Sequence, residues 1–171
     1  MKSYLPALIP GSLPMLVFWV SCFTAASGEV IEEFALEDGR SLGTSIAVDR
    51  STKINGSGSV RIETLWPTSI CLAEVAGLEI DEAKLVYQAQ VKSQLSEGVA
   101  YLEMWCHVGG GRYFSRGKDS AVQGSSDWTP LETPFFLQKG QTVEKVTLNL
   151  VIEGIGTVWV DDASLVRQSL E

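Results

Sequence analysis

The feature that most constrains the fold is an alternation of side chains at period two. Leu85, Tyr87, Ala89 and Val91 alternate with Lys84, Val86, Gln88, Gln90 and Lys92. A second run follows, in which Ala100, Leu102, Met104, Cys106 and Val108 alternate with Val99, Tyr101, Glu103, Trp105 and His107. Such a pattern marks strands with one face in a core and the other toward water. No long stretch carries the 3.6-residue periodicity of a helix. Short runs rich in Val, Ile, Thr and aromatics recur instead between clusters of Gly, Asp, Asn and Ser. Strands are expected at 30–36, 44–50, 59–64, 69–76, 84–93, 99–108, 112–115, 128–137, 143–153 and 157–166. Short strands at this density predict an all-β chain folded as a two-sheet antiparallel β-sandwich. The segment Gln94-Leu95-Ser96-Glu97-Gly98 reads as the turn of a hairpin joining the two best-defined strands.

Residues 1–27 are expected to stand outside this domain. Met1-Lys2, an apolar run from Leu13 to Phe23 and the small residues Ala25-Ala26-Ser27 read as an export signal peptide, with cleavage near Ser27 or Gly28. The apolar run falls short of the roughly 20 residues that a membrane-spanning helix needs. No stable membrane span is therefore expected in the mature chain, residues 28–171, which forms a single domain. Acylation of Cys22 is disfavoured because Trp19 stands where lipoprotein sites carry Leu. The protein is expected to be secreted, periplasmic or at the cell surface. Cys71 and Cys106 then remain in a compartment where a disulfide persists, and a bridge between them and a pair of buried thiols both fit the sequence. With 13 basic against 21 acidic residues the chain carries a formal charge of −8, which argues against nucleic acid as a partner. One His and three Cys, with no CxxC or HxxxH spacing, do not supply a zinc site.

If the first set of each alternating run faces inward, the outer face gathers Gln88 and Gln90 beside Tyr101, Glu103, Trp105 and His107. Pyranose rings stack their C–H patches on Trp and Tyr, and their hydroxyls pair with Gln, Glu and His. Tyr113 follows the turn-forming run Gly109-Gly110-Gly111 and is placed to wall the same cleft, with Arg112 and Arg116 as further donors. The competing reading has a loop roofing Trp105 and Tyr101, so that both rings serve packing alone. Trp66, Trp128 and Trp159 are assigned to the core or to sheet edges.

The C-terminal third carries a resemblance. Ser126-Asp127-Trp128-Thr129, Pro134-Phe135-Phe136, Val146-Thr147-Leu148-Asn149-Leu150 and Gly156-Thr157-Val158-Trp159-Val160-Asp161-Asp162 follow in order, after Phe34-Ala35-Leu36-Glu37-Asp38-Gly39 and Gly56-Ser57-Gly58-Ser59-Val60-Arg61-Ile62. Together they resemble carbohydrate-binding modules of the family 4/9 type, which are jelly rolls of the galactose-binding-like group. The resemblance implies a polysaccharide or oligosaccharide partner, and a structural calcium held by Glu37 and Asp161 with neighbouring carbonyls. The alternative at Asp161-Asp162 is a bulge or strand end bonding local amides.

An enzyme is not expected. A glycosidase needs two carboxyl groups at about 5 to 9.5 Å, and nothing pairs Glu103 with Glu74, Glu132 or Glu153. No Gly-x-Ser-x-Gly elbow is present. Asn55-Gly56-Ser57 fits both a glycosylation sequon and a turn. The function implied is non-catalytic glycan binding by an exported protein. The alternative is a structural or adhesive sandwich that binds a protein partner and has no sugar site.

Overall fold

The computed structural model describes residues 28–34 and 46–170. The expected signal peptide, Cys22 and Glu37 lie outside the described residues. Eight strands follow in chain order: β1 (Glu29–Phe34), β2 (Ile46–Asp49), β3 (Ser59–Thr64), β4 (Thr68–Ile80), β5 (Ala83–Val108), β6 (Gly111–Arg116), β7 (Val122–Leu137) and β8 (Val143–Ser169). All pairings are antiparallel.

The axis of the fold is the pairing of β5 with β8, continuous from Ala83 opposite Ser169 to Val108 opposite Val143. Laid flat, a strand of this length would span roughly 85 Å. It does not lie flat, because inward residues from both ends share one core. Leu85, Tyr87, Val91, Val158 and Val160 belong to the same buried cluster as Leu102, Met104, Cys106, Leu148, Leu150 and Ile152. The ribbon folds over at its middle and its two halves become opposite layers of a sandwich. One layer takes β1 and β3 on the C-terminal part of β8, β2 on β3, and β7 on the first part of β5. The other takes β4 on the N-terminal part of β8 and β6 on the last part of β5. This is the expected all-β sandwich with a jelly-roll plan.

The fold-over also corrects the expected hairpin. Residues 84–93 and 99–108 do not pair with each other; they are successive parts of one strand, each paired to β8. The inward set changes from odd to even positions because the register shifts between Leu95 and Glu97, a β-bulge rather than a turn. Three glycines permit the crossing. A Cβ on Gly98, whose φ is +81°, would lie 1.9 Å from the carbonyl oxygen of Glu153; on Gly154, 2.1 Å from that of Glu97; on Gly156, with φ +142°, 2.3 Å from that of Gln94. Backbone meets backbone with no room for a side chain.

Other expectations hold at the level of single residues. β3 spans the residues expected of it. Trp159 is buried and donates its indole N–H to Asp49 Oδ2 at 2.9 Å, and Trp128 is half-buried. Trp66 is not a packing residue: 68% of it is exposed, in the connection between β3 and β4. Cys71 is exposed and Cys106 buried, and among the described residues both are free thiols; burial pushes the Cys106 thiol up to about 12.

Two stability outcomes follow from this packing. Gly98→Ala should lose more than about 3 kcal/mol, or fail to fold, because a close approach adds to the cost of a left-handed φ. Gly110→Ala, with φ +77° and open space around it, should lose only about 1–2 kcal/mol. Equal losses in denaturant titrations would remove the close approach as the cause. The second outcome concerns Tyr87, which is fully buried and whose hydroxyl has no hydrogen-bond partner among the described residues. Deleting a buried, unpaired polar group is neutral or favourable, so Tyr87→Phe should melt at or above the wild-type temperature. A clear drop would reveal a partner for that hydroxyl.

Candidate functional site

The parity of β5 and β8 after the fold-over sends one polar and aromatic set to the outside of the β4–β8–β5–β6 layer. On β8, Val146, Leu148 and Leu150 are buried inward while Lys145, Thr147 and Asn149 alternate with them. Register then builds rows across the strands. Arg116 stands opposite Glu103, which stands opposite Asn149; Phe114 opposite Trp105, opposite Thr147; Arg112 opposite His107, opposite Lys145. Glu74 of β4 extends the middle row beside Thr147. Trp105 and Phe114 pack as tilted rings with centroids 5.1 Å apart.

The sequence reading places six ligand residues on one face and Tyr113 at the wall of the same cleft, and the structure divides them. Glu103, Trp105 and His107 lie together. Gln88 and Gln90 do not join them, because the ribbon has folded between the two groups and their outer faces look in opposite directions. Gln88 donates to Ser164 Oγ at 3.1 Å and lines a cleft of about 650 Å³ with Glu33, Asn55, Asp161 and Asp162. Tyr113 stands opposite Cys106, an inward position, and projects at the open edge of β6, where it packs over Gly111. Tyr101 belongs to the right face but is only 1% exposed. The roof is the 3-10 turn Lys118–Ser120, anchored by the Gly117 amide donating to the Leu102 carbonyl at 2.9 Å. Lys118 Nζ lies 5.1 Å from the Tyr101 ring centroid, and the Tyr101 hydroxyl donates to Glu153 at 2.8 Å. Tyr101 is thus a post under the face, not a platform on it.

Glu103 is the electrostatic centre of the face. It is buried, and its carboxylate accepts from Arg116 Nε at 2.5 Å, Trp105 Nε1 at 2.7 Å and Asn149 Nδ2 at 3.3 Å. Burial pushes this carboxyl up, and the three donors more than offset it, so it sits below the ordinary carboxylate range. Lys118 and the Tyr101 hydroxyl lower Glu153, and Lys145 with Thr147 lowers Glu74. A guanidinium also lies against one face of each ring: Arg112 is 4.6 Å from the Trp105 centroid and Arg116 4.4 Å from that of Phe114. Thr147, Asn149 and Phe114 were absent from the expected set, although the Val-Thr-Leu-Asn-Leu alternation on β8 carries the signal for the first two.

Asp161, the expected calcium ligand within the described residues, has both oxygens engaged. Oδ2 accepts the amides of Ile54 and Asn55 at 2.7 and 3.3 Å, and Oδ1 that of Asp162 at 2.9 Å. Asp162, with φ +48°, accepts from Asn55 Nδ2 at 2.7 Å. Among the described residues no three His, Cys, Asp or Glu side chains converge as a metal-holding group. A second cleft, of about 510 Å³, lies at the rim of the sandwich between Trp66, Leu65, Thr68 and Ile155. No helix among the described residues is long and apolar enough to cross a membrane.

The carboxylates around Glu103 set an acid dependence whose sign is fixed by their depressed pKa values. Each binds fewer protons when folded, so its stabilisation is present above the unfolded pKa near 4.3 and is lost as pH falls through the lower folded value. Melting temperature should therefore fall as pH drops from about 5 to about 3. Glu103→Gln should be less stable at neutral pH and lose less over that interval; an acid slope identical to wild type would show that Glu103 is not a main contributor.

No family model and no curated protein matches the chain. Solved structures do match. The CBM22-1–CBM22-2 tandem domain of Xyn10C from Paenibacillus barcinonensis superposes with a TM-score of 0.61 at 12% identity, over 86% of this chain and 48% of that one. A xylan-binding domain from CBM 22, the x6b domain, gives 0.59 at 9% identity over 84% and 97% of the two chains. TmCBM61 in complex with β-1,4-galactotriose gives 0.50 at 16% identity over 75% and 86%. At these identities the likeness is one of fold: the chain is built on the β-sandwich of carbohydrate-binding modules.

Proposed function

We propose that the protein binds glycans without cleaving them, as an exported module in the broad group that includes the family 4/9 type, and that the outer face of the β4–β8–β5–β6 layer is the binding surface. The observation that carries this is the row Phe114–Trp105–Thr147–Glu74, in which two adjoining rings, one half-buried and one exposed, continue into a hydroxyl and a carboxylate at strand spacing. Rings offer stacking to the C–H face of a sugar, and the neighbouring polar groups offer partners for its hydroxyls. The jelly-roll fold supports the same reading.

Catalysis is disfavoured by the state of the carboxylates. A glycosidase acid must hold its proton near neutral pH, which requires a raised pKa. Glu103, Glu74 and Glu153 are instead each paired with a cation and lowered. They brace the face.

The test is affinity electrophoresis against soluble polysaccharides, neutral and acidic, with four proteins: wild type, Trp105→Ala, Phe114→Ala and Trp66→Ala. Wild type should be retarded by at least one polymer. Trp105→Ala and Phe114→Ala should each weaken that binding by about tenfold, a loss typical of a removed aromatic contact, while Trp66→Ala leaves it unchanged. Because Phe114 is half exposed, its variant keeps the fold where Trp105→Ala loosens Glu103. Binding lost in Trp66→Ala alone would move the site to the rim, and no retardation by any polymer would remove the glycan reading.

A further inference from the structure

Resting on that reading, we infer that the ligand is an acidic glycan, one whose sugars carry carboxylates, and that Arg112 is its principal anchor.

The charge of the face runs against that of the chain. Overall the protein has 13 basic and 21 acidic residues, yet within the three rows of this face Arg112, Arg116 and Lys145 stand against Glu74 and Glu103. Two of these three cations are neutralised in place: Arg116 by Glu103 at 2.5 Å and Lys145 by Glu74 at 2.7 Å, and Lys118 beside the rows is paired with Glu153 at 2.8 Å. Arg112 is not. Among the described residues it is paired with no carboxylate, and its guanidinium lies over the Trp105 ring.

The register shows what that unpaired charge is near. Arg112, His107 and Lys145 form one row across β6, β5 and β8, directly beside the aromatic row of Phe114 and Trp105. Neighbouring strands are about 4.8 Å apart, so the three nitrogen-bearing groups extend over about 10 Å, the length of two sugar units in a chain. A pyranose stacked against the rings would lie beside this row, with a carboxylate at C5 within reach of it. A guanidinium recognises a carboxylate through two parallel N–H donors. The Arg112 guanidinium rests 4.6 Å from the Trp105 ring centroid, a contact that lowers the entropy of using that fork. A neutral glycan would leave this cation unanswered, whereas a carboxylate would pair with it.

Calorimetry with polygalacturonate and glucuronoxylan, each compared with its own carboxyl-reduced form, tests the inference. The carboxylated polymers should bind about tenfold or more tightly than the reduced ones. That advantage should shrink as salt rises from about 20 to about 300 mM. Arg112→Gln should bring carboxylated and reduced forms to similar affinity, and Arg112→Lys should restore part of the difference. Equal, salt-insensitive binding of both forms would overturn the acidic ligand while leaving glycan binding intact. Selective binding that survives Arg112→Gln would overturn the anchor. Failure of every polymer, these and neutral glucans alike, would overturn the glycan reading itself.

Discussion

The structure depends on one close passage of backbone past backbone. At residues 94–98 and 154–156 the two longest strands touch without side chains between them, since a Cβ on any of three glycines would fall within 2.3 Å of a carbonyl oxygen. Without that passage β5 and β8 would remain a flat ribbon with one apolar side facing water. With it, the ribbon doubles over and the apolar sides of both halves meet in a single core. The remaining strands add to edges that the doubled ribbon has already placed. The same passage decides which polar residues are neighbours, since it sends the outer sides of the two halves in opposite directions.

On the layer bearing Trp105 the outer side is stiffened by charge rather than by apolar packing. Glu103 is buried only because an arginine, an indole and an amide all donate to it. Removing any one donor would leave a buried carboxylate short of partners, so the four groups hold one another in a single arrangement. Tyr101 contributes from below through Glu153 and Lys118. The result is a pre-arranged surface, and on the proposed reading this lowers the ordering cost of binding a ligand there.

How much of this is legible in the sequence depends on the range of the interaction. Period-two alternation correctly identifies Leu102, Met104 and Cys106 as inward and Glu103, Trp105 and His107 as outward, because strand geometry is local. The segment ending in Gly98 is ambiguous, since a glycine with positive φ serves a turn and a bulge equally well. Choosing between them requires knowing that Glu153 and Gly154 lie against it. Tyr101 shares the parity of Trp105, and its burial is imposed by a turn more than fifteen residues further on, for which the alternation holds no signal. Trp66 errs in the other direction: a large aromatic is usually covered, and here the connection between β3 and β4 leaves it in solvent.

The ladder between β5 and β8 also orders events in time. Its ends differ greatly in chain separation: Val108 and Val143 are 35 positions apart, Ala83 and Ser169 are 86. Closing the shorter loop costs less entropy, so zippering starts at the Val108 end and runs toward Ala83. The half that carries Trp105 and Glu103 is then the first to acquire its neighbours on β8, and its outer aromatic and charged rows come into register before the opposite layer arrives to close the core.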